Sequence, residues 1–315
     1  MKNKALRVFL TGGLGNQLFQ LAAALHYAGS RRIELDVYTA EPRKNKSGEA
    51  EILSLELPPH IQILKENQGK FVRKVFGFNL RSGYLPRDFE KKLIFKAIRG
   101  LGSTMALGVA LKHFYRVIVS NDLGHDRRIK CSDRSEIIIG YFQTYKVSSE
   151  LIKRKERLFG QLSNQNIQKF RSLAVIEKPL LVHVRLGDYQ LEKQFGILSL
   201  EYYRVAIEYA WQKGEFNKIW LFSDQPKDAL RRIPQFFRDK IRLIEDDGLN
   251  SAETLRVMSL CQGYVIANSS FSWWAAALSD FENPVVVSPK PWFIQLPEPT
   301  DLIPPHWDRF EGFDP

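Results

Sequence analysis

Between Pro179 and Ser288, short apolar runs alternate with helical periodicities, and few folds tolerate that alternation. Leu180–Val184, Lys218–Phe222, Ile241–Ile244, Tyr264–Ala267 and Val285–Ser288 read as buried strands. Helical patterns near Ser199–Gln212, Lys227–Phe237, Ser251–Cys261 and Phe271–Ser279 separate them. Near-continuous apolar strands joined through helices make a parallel sheet covered on both faces. The chain opens in the same way, with a strand at Leu6–Thr11, a tight turn at Gly12-Gly13-Leu14-Gly15, a helix over Asn16–Ser30 and a strand at Ile33–Tyr38. Glu136–Phe142 reads as a further strand, and Val147–Leu173 as one long, charged, exposed helix. The expected architecture is two α/β lobes facing a central cleft. Residues 1–174 form the first, 175–290 the second, and a Pro-rich tail, 291–315, packs back on the body.

The chain of 315 residues is 44% apolar and 26% charged, the profile of a globular protein with room for two cores. Its 46 Lys and Arg exceed its 35 Asp and Glu, giving a net charge of +11 that favours anionic partners. Basic clusters occur at Arg43, Lys44 and Lys46, at Arg87, Lys91, Lys92 and Lys96, and at Arg127, Arg128 and Lys130. They read as solvated faces, or as a patch for anionic lipid or a charged acceptor. Aromatics are not interleaved with them on one element, so nucleic acid is not an expected partner. Cys131 and Cys261 are too few for a disulfide framework, and Cys261 reads as buried. No apolar run reaches the length of about 18 residues that spans a membrane. A cytoplasmic location is expected, with peripheral contact at the inner membrane face.

Polar residues gather at the carboxyl ends of three strands, the edge where ligands bind in open α/β sheets. His183 and Arg185 follow Pro179–Val182 and, two apart on an extended segment, point to one side. The arginine fork matches phosphate oxygens, as in a nucleotide diphosphate. A salt bridge to Asp188 is the competing reading. Phe222-Ser223-Asp224-Gln225 ends the next strand, and Ala267-Asn268-Ser269-Ser270-Phe271 passes from a third strand into a helix. Asn and Ser there cap the helix and leave amides for an anion. Of the adjacent Trp273 and Trp274, one is expected in the core and the other along the cleft. The Gly12–Gly15 turn partly mimics a dinucleotide fingerprint, with Asp36 about 20 residues on. The third glycine is replaced by Leu18, which ranks an NAD(P)-dependent oxidoreductase below a cleft enzyme. No spacing of metal ligands is visible, so arginine and backbone donors would neutralise a diphosphate.

Taken together, these segments resemble the α-1,2-fucosyltransferases of glycosyltransferase family 11, bacterial type. Gly12-Gly13-Leu14-Gly15-Asn16-Gln17-Leu18-Phe19-Gln20 is similar to that family's amino-terminal signature, and His183-Val184-Arg185-Leu186-Gly187-Asp188-Tyr189 to its His-x-Arg-Arg-x-Asp-Tyr element. Phe222-Ser223-Asp224 is similar to Phe-Ser-Asp-Asp, and Ile266–Trp274 to the family's most recognisable stretch. Gly140-Tyr141-Phe142-Gln143 also looks familiar. Leu186 stands in place of a second arginine, Gln225 in place of a second aspartate, and Ala275 in place of a glycine.

The resemblance implies a glycosyltransferase-B-like fold of two Rossmann-like lobes. It also implies metal-free, cofactor-free, inverting transfer of fucose from GDP-L-fucose to O2 of a terminal β-galactose. Arg185, Ser223, Asp224, Asn268, Ser269, Ser270 and Phe271 would bind the donor. Gly13, Gly15, Asn16 and Gln17 would face the fucose or the acceptor. Arg185, His183, Asp188 and Asn16 are the catalytic candidates, with Asp188 a possible base. The acceptor would be a galactose-terminated oligosaccharide or lipid-linked glycan, shaped by the weakly patterned stretch from Glu41 to Lys130. A non-catalytic sugar-nucleotide binder is the remaining alternative.

Overall fold

The computed structural model describes residues 4–38, 42–46, 48–64, 116–120, 123–127, 129–130, 134–160, 162, 164–190, 193–245 and 248–314. Most of the stretch expected to shape the acceptor site, including Arg87, Lys91, Lys92 and Lys96, lies outside the described residues, as do Arg128 and Cys131. The chain divides into two compact units, one of residues 1–158 with 299–302, the other of 159–298 with 303–315. Among the described residues, no helix is long and apolar enough to cross a membrane.

The first unit is built on a five-stranded sheet in the order β3-β2-β1-β5-β4. Its strands are β1 (Ala5–Phe9), β2 (Arg32–Asp36), β3 (Ile61–Ile63), β4 (Arg116–Val119) and β5 (Glu136–Ile139). Every pairing is parallel. Ala-Leu-Arg-Val-Phe of β1 is buried at all five positions, as a strand covered on both faces must be. Its arginine is tolerated because the Arg7 guanidinium meets Glu34 on β2 at 2.8 Å. Helix α1 (Leu14–Tyr27) returns the chain from β1 to β2, burying Leu18, Leu21 and Ala22.

The second unit carries a six-stranded parallel sheet, β11-β10-β9-β6-β7-β8. Its strands are β6 (Pro179–Val184), β7 (Lys218–Ser223), β8 (Ile241–Leu243), β9 (Gly263–Val265), β10 (Val285–Lys290) and β11 (Asp308–Glu311). Each half of the sheet is wound outward from the middle, β6 through β8 to one edge and β9 through β11 to the other. The two windings meet between β6 and β9, whose carboxyl ends therefore flank an open crevice. Leu180, Val182, Tyr202, Ala206, Ile207 and Val265 form the centre of this unit's core.

Four sequence expectations change. The stretch Val147–Leu173 is not one helix but α2 (Tyr145–Ile152), α3 (Lys155–Leu158) and α4 (Gln165–Glu177). Leu158 and Phe159 are buried at the break, and Asn164 starts a new helix by accepting from the Ile167 amide at 3.0 Å. The units accordingly part at Leu158, and α4 belongs with the second, where Glu177 at its end accepts from Trp220 Nε1 at 2.6 Å. The pattern over Lys227–Phe237 yields only a short helix, Pro226–Leu230, because Pro234 interrupts it before the 3-10 segment Gln235–Lys240. The tail does not merely pack back: β11 extends the second sheet beside β10, while Pro299–Leu302 joins the first unit.

Candidate active site

In the second unit, the carboxyl ends of β6 and β9 are tied across the crevice. Tyr189 donates its hydroxyl to the Asn268 carbonyl at 2.9 Å. The Arg185 guanidinium lies 5.8 Å from the centre of the Tyr189 ring, within cation–π range. Tyr189 thus contacts both the arginine segment and the Asn268 turn. Arg185 emerges just past β6 with its side chain 21% exposed, neither buried in the core nor free in solvent.

Asp224, at the end of neighbouring β7, organises this segment. Its carboxylate accepts from the amides of Leu186 and Gly187, both at 3.0 Å, and its Oδ2 lies 3.2 Å from Arg185 Nη1. A Cβ on Gly187 would lie 2.5 Å from that same Oδ2, so the turn requires glycine there. Asp224 was expected to bind the donor. Its oxygens instead hold the chain's own arginine turn. The side chain of Asp188, the candidate base and the expected partner of Arg185, lies outside the described residues.

His183 does not face a ligand beside Arg185. It is 5% exposed, and its Nδ1 is buried without a hydrogen-bond partner. Burial, reinforced by the positive charge of Arg185, lowers its pKa from 6.5 to about 3, so the imidazole is neutral at physiological pH. Its backbone carbonyl accepts from the Tyr203 hydroxyl at 3.3 Å.

The expected donor-binding turn is only partly available. Asn268 is buried, and its Nδ2 donates to the carbonyls of Phe195 at 2.9 Å and Gly196 at 3.2 Å, so its amide pins a loop rather than a phosphate. Ser269 caps helix α8 (Ser270–Ala277), its Oγ accepting from the Phe271 amide at 3.3 Å. Ser223 Oγ accepts from the Gln225 amide at 3.0 Å. Ser270 and Phe271 are partly exposed at the start of α8, where the helix dipole favours an anion. Trp273 and Trp274 are both fully buried, which corrects the expectation that one would line a cleft. Their rings meet edge to face, with centres 5.1 Å apart.

In the first unit the glycine turn is shorter than expected. Gly12 adopts φ +70°, and a Cβ there would lie 2.6 Å from Asn16 Nδ2, while the helix already begins at Leu14. Gly15 is therefore a buried helical residue and not part of the turn. Gln17 does not face a substrate. It is fully buried, donating to the carbonyls of Gly12 at 2.8 Å and Arg43 at 3.1 Å while accepting from the Ile52 amide at 2.9 Å. Gly13 and Asn16 remain at the carboxyl end of β1, Asn16 accepting from Gln143 Nε2 at 2.9 Å. The dinucleotide reading loses its ribose carboxylate, since Asp36 is fully buried and accepts from the Tyr38 amide at 3.0 Å. Sequence reasoning missed the roles of Tyr189, Asp224 and Gln143 in ordering these edges, although each stands inside a motif it had noticed.

Residues 141–293 match the family model described as Glycosyl transferase family 11. Two Escherichia coli proteins are similar over almost the whole chain. One, named O-antigen biosynthesis glycosyltransferase WbnK, is 25% identical across 90% of this chain and 93% of its own length. The other, named alpha-1,2-colitosyltransferase, is 25% identical across 96% of this chain and 97% of its own. The fucosyltransferase NodZ from Bradyrhizobium superposes with a TM-score of 0.48 and 16% identity, over 90% of this chain and 97% of that one. The matched segment runs through the Arg185 turn, Asp224 and the Asn268–Phe271 helix start, so the part of the chain that carries this crevice is similar to glycosyl transferase family 11.

Proposed function

We propose that this glycosyltransferase moves L-fucose from GDP-β-L-fucose to O2 of a terminal β-galactose, with inversion and without a metal ion. The observation that carries this reading is the partly exposed Arg185 guanidinium, held at the β6/β9 crevice on a tyrosine that also grips the turn leading into α8. A fixed cation and the amino end of a helix are the equipment for a pyrophosphate. As the galactose oxygen bonds to C1 of the sugar and passes its proton to a base, for which Asp188 is the candidate, the C1–O bond to the β-phosphate breaks and its electron pair leaves with GDP. Arg185 stabilises the charge that develops there, and such pre-placed donors act most strongly at that stage. The α-1,2 linkage in a relative's name supports O2 as the nucleophile. The O-antigen role in another's name supports a lipid-linked surface glycan as acceptor, reached from the cytoplasmic face, with the basic surface against anionic lipid.

A second donor has a specific observation behind it. Colitose is fucose without its 3-hydroxyl, and a relative is named for transferring it. The deciding experiment supplies purified protein with GDP-L-fucose and with GDP-colitose, a panel of terminal β-galactosides, and EDTA in parallel. An α-1,2 product formed equally well with the chelator is expected. Failure to transfer either sugar, or loss of activity on chelation, would sink the proposal.

A further inference from the structure

We propose that Gln143, together with Asn16, forms a subsite on the first unit that recognises a hydroxyl of the acceptor sugar, an inference that rests on the glycosyl-transfer reading. β1 and β5 are neighbours in the first sheet though far apart in sequence, and the strand order reverses between them. Their carboxyl ends flank a crevice of the kind that holds ligands in open α/β sheets. Gly13 and Asn16 follow β1, and Gln143 follows β5.

Gln143 is 9% exposed, and its Oε1 is buried without a hydrogen-bond partner. Its Nε2 donates to Asn16 Oδ1 at 2.9 Å, and its backbone amide is fixed to the Leu123 carbonyl at 2.7 Å. The preceding Phe142 is buried at φ +55°, a left-handed conformation that a phenylalanine rarely adopts. Strain of that kind persists where the surroundings demand it, and it clusters at ligand sites. Exchanging oxygen and nitrogen in both amides would only turn the unsatisfied acceptor into an unsatisfied donor. Either form is completed by a hydroxyl, which gives and accepts hydrogen bonds alike. Asn16, partly exposed at the helix start, provides a second amide beside it. At Gly13, on the same end of β1, a Cβ would make only ordinary contact with the Arg43 guanidinium, at 3.6 Å. A pair of amides, which offers donors and acceptors together, is chemistry suited to a sugar hydroxyl.

The test titrates methyl β-D-galactopyranoside, and separately GDP, into the full-length protein and its Gln143→Met variant, followed by a transfer assay. Galactoside affinity is expected to fall about tenfold in the variant, a change of ~1.4 kcal/mol, with GDP affinity within about twofold of wild type. Equal galactoside affinity in both proteins would overturn the inference, as would parallel loss of GDP binding or no galactoside binding by the wild type. If the galactoside binds through Gln143 but no sugar is transferred, the subsite stands and the transfer reading fails. Gln143→Asn, which keeps the amide but withdraws it from its place, takes the place of Gln143→Met if that variant melts early, with the same expectation and the same grounds for rejection.

Discussion

Asp224 Oδ2 lies 3.2 Å from Arg185 Nη1 while the same carboxylate accepts the Leu186 and Gly187 amides, so one aspartate sets both the arginine and the turn that carries it. Asp224→Asn keeps the shape but presents an NH2 group to one of these donors. The donor KM should rise about tenfold, and the unfolding free energy should fall by about 1–3 kcal/mol. Gly187→Ala, which would bring a Cβ within 2.5 Å of that oxygen, should reproduce the KM effect. Unaltered donor kinetics in both variants would show that the clamp has no bearing on binding.

Arg185→Ala should lower kcat/KM for transfer by about 1.5–3 kcal/mol, roughly 10- to 150-fold, while far-ultraviolet circular dichroism stays unchanged. Arg185→Lys should recover only part of this, since lysine lacks the two-pronged donor geometry. Full activity in the alanine variant would remove Arg185 from the chemistry.

Tyr189→Phe deletes the hydroxyl that joins the β6 segment to the Asn268 carbonyl but keeps the ring under Arg185. A stability loss of about 0.5–1.5 kcal/mol is expected, together with weaker donor binding measured by calorimetry. A change in stability alone would mean that the crevice does not need the tie to hold its shape.

His183 should stay neutral through pH 5–8, with no imidazole titration near 6.5 by NMR. Its folded pKa, about 3, lies below the ordinary 6.5, so the unfolded chain takes up the proton first. Stability is therefore complete above pH 6.5 and declines as pH falls toward about 3, by about 1.4 kcal/mol per unit from this group. Denaturation curves for wild type and His183→Gln should diverge across that window. Parallel curves would contradict the neutral, buried imidazole.

Gln17→Leu should act on folding rather than on substrate. Losing the amide strands the Ile52 amide and leaves the Gly12 and Arg43 carbonyls with only the Arg43 and Glu51 amides, at a cost of about 1–3 kcal/mol in urea unfolding. A stable variant with a raised acceptor KM would restore Gln17 to the substrate side.

The buried strands were legible because a strand covered on both faces must be apolar nearly throughout, as β1 and β6 are. The site was legible only as residue types at strand ends. Gln17 and Asn16 stand side by side after one glycine turn, yet Gln17 ties down a loop through Arg43 and Ile52 while Asn16 meets Gln143. Asn268 looked like a phosphate donor and proved to hold Phe195 and Gly196. The break at Leu158–Asn164 was legible in Gly160 and in Asn164, a helix-stop and a helix-start residue, but the charged helical patterns on either side masked it.

From its sequence alone this chain is committed to parallel α/β units with polar strand ends, since hydrophobic period and helix length are local properties that a short window of residues determines. Which oxygen each polar side chain meets was decided only in three dimensions. Asp224 reaches Leu186 across 38 residues and Gln143 reaches Asn16 across 127, and a hydrogen bond depends on distance in space, which sheet order sets and local pattern does not.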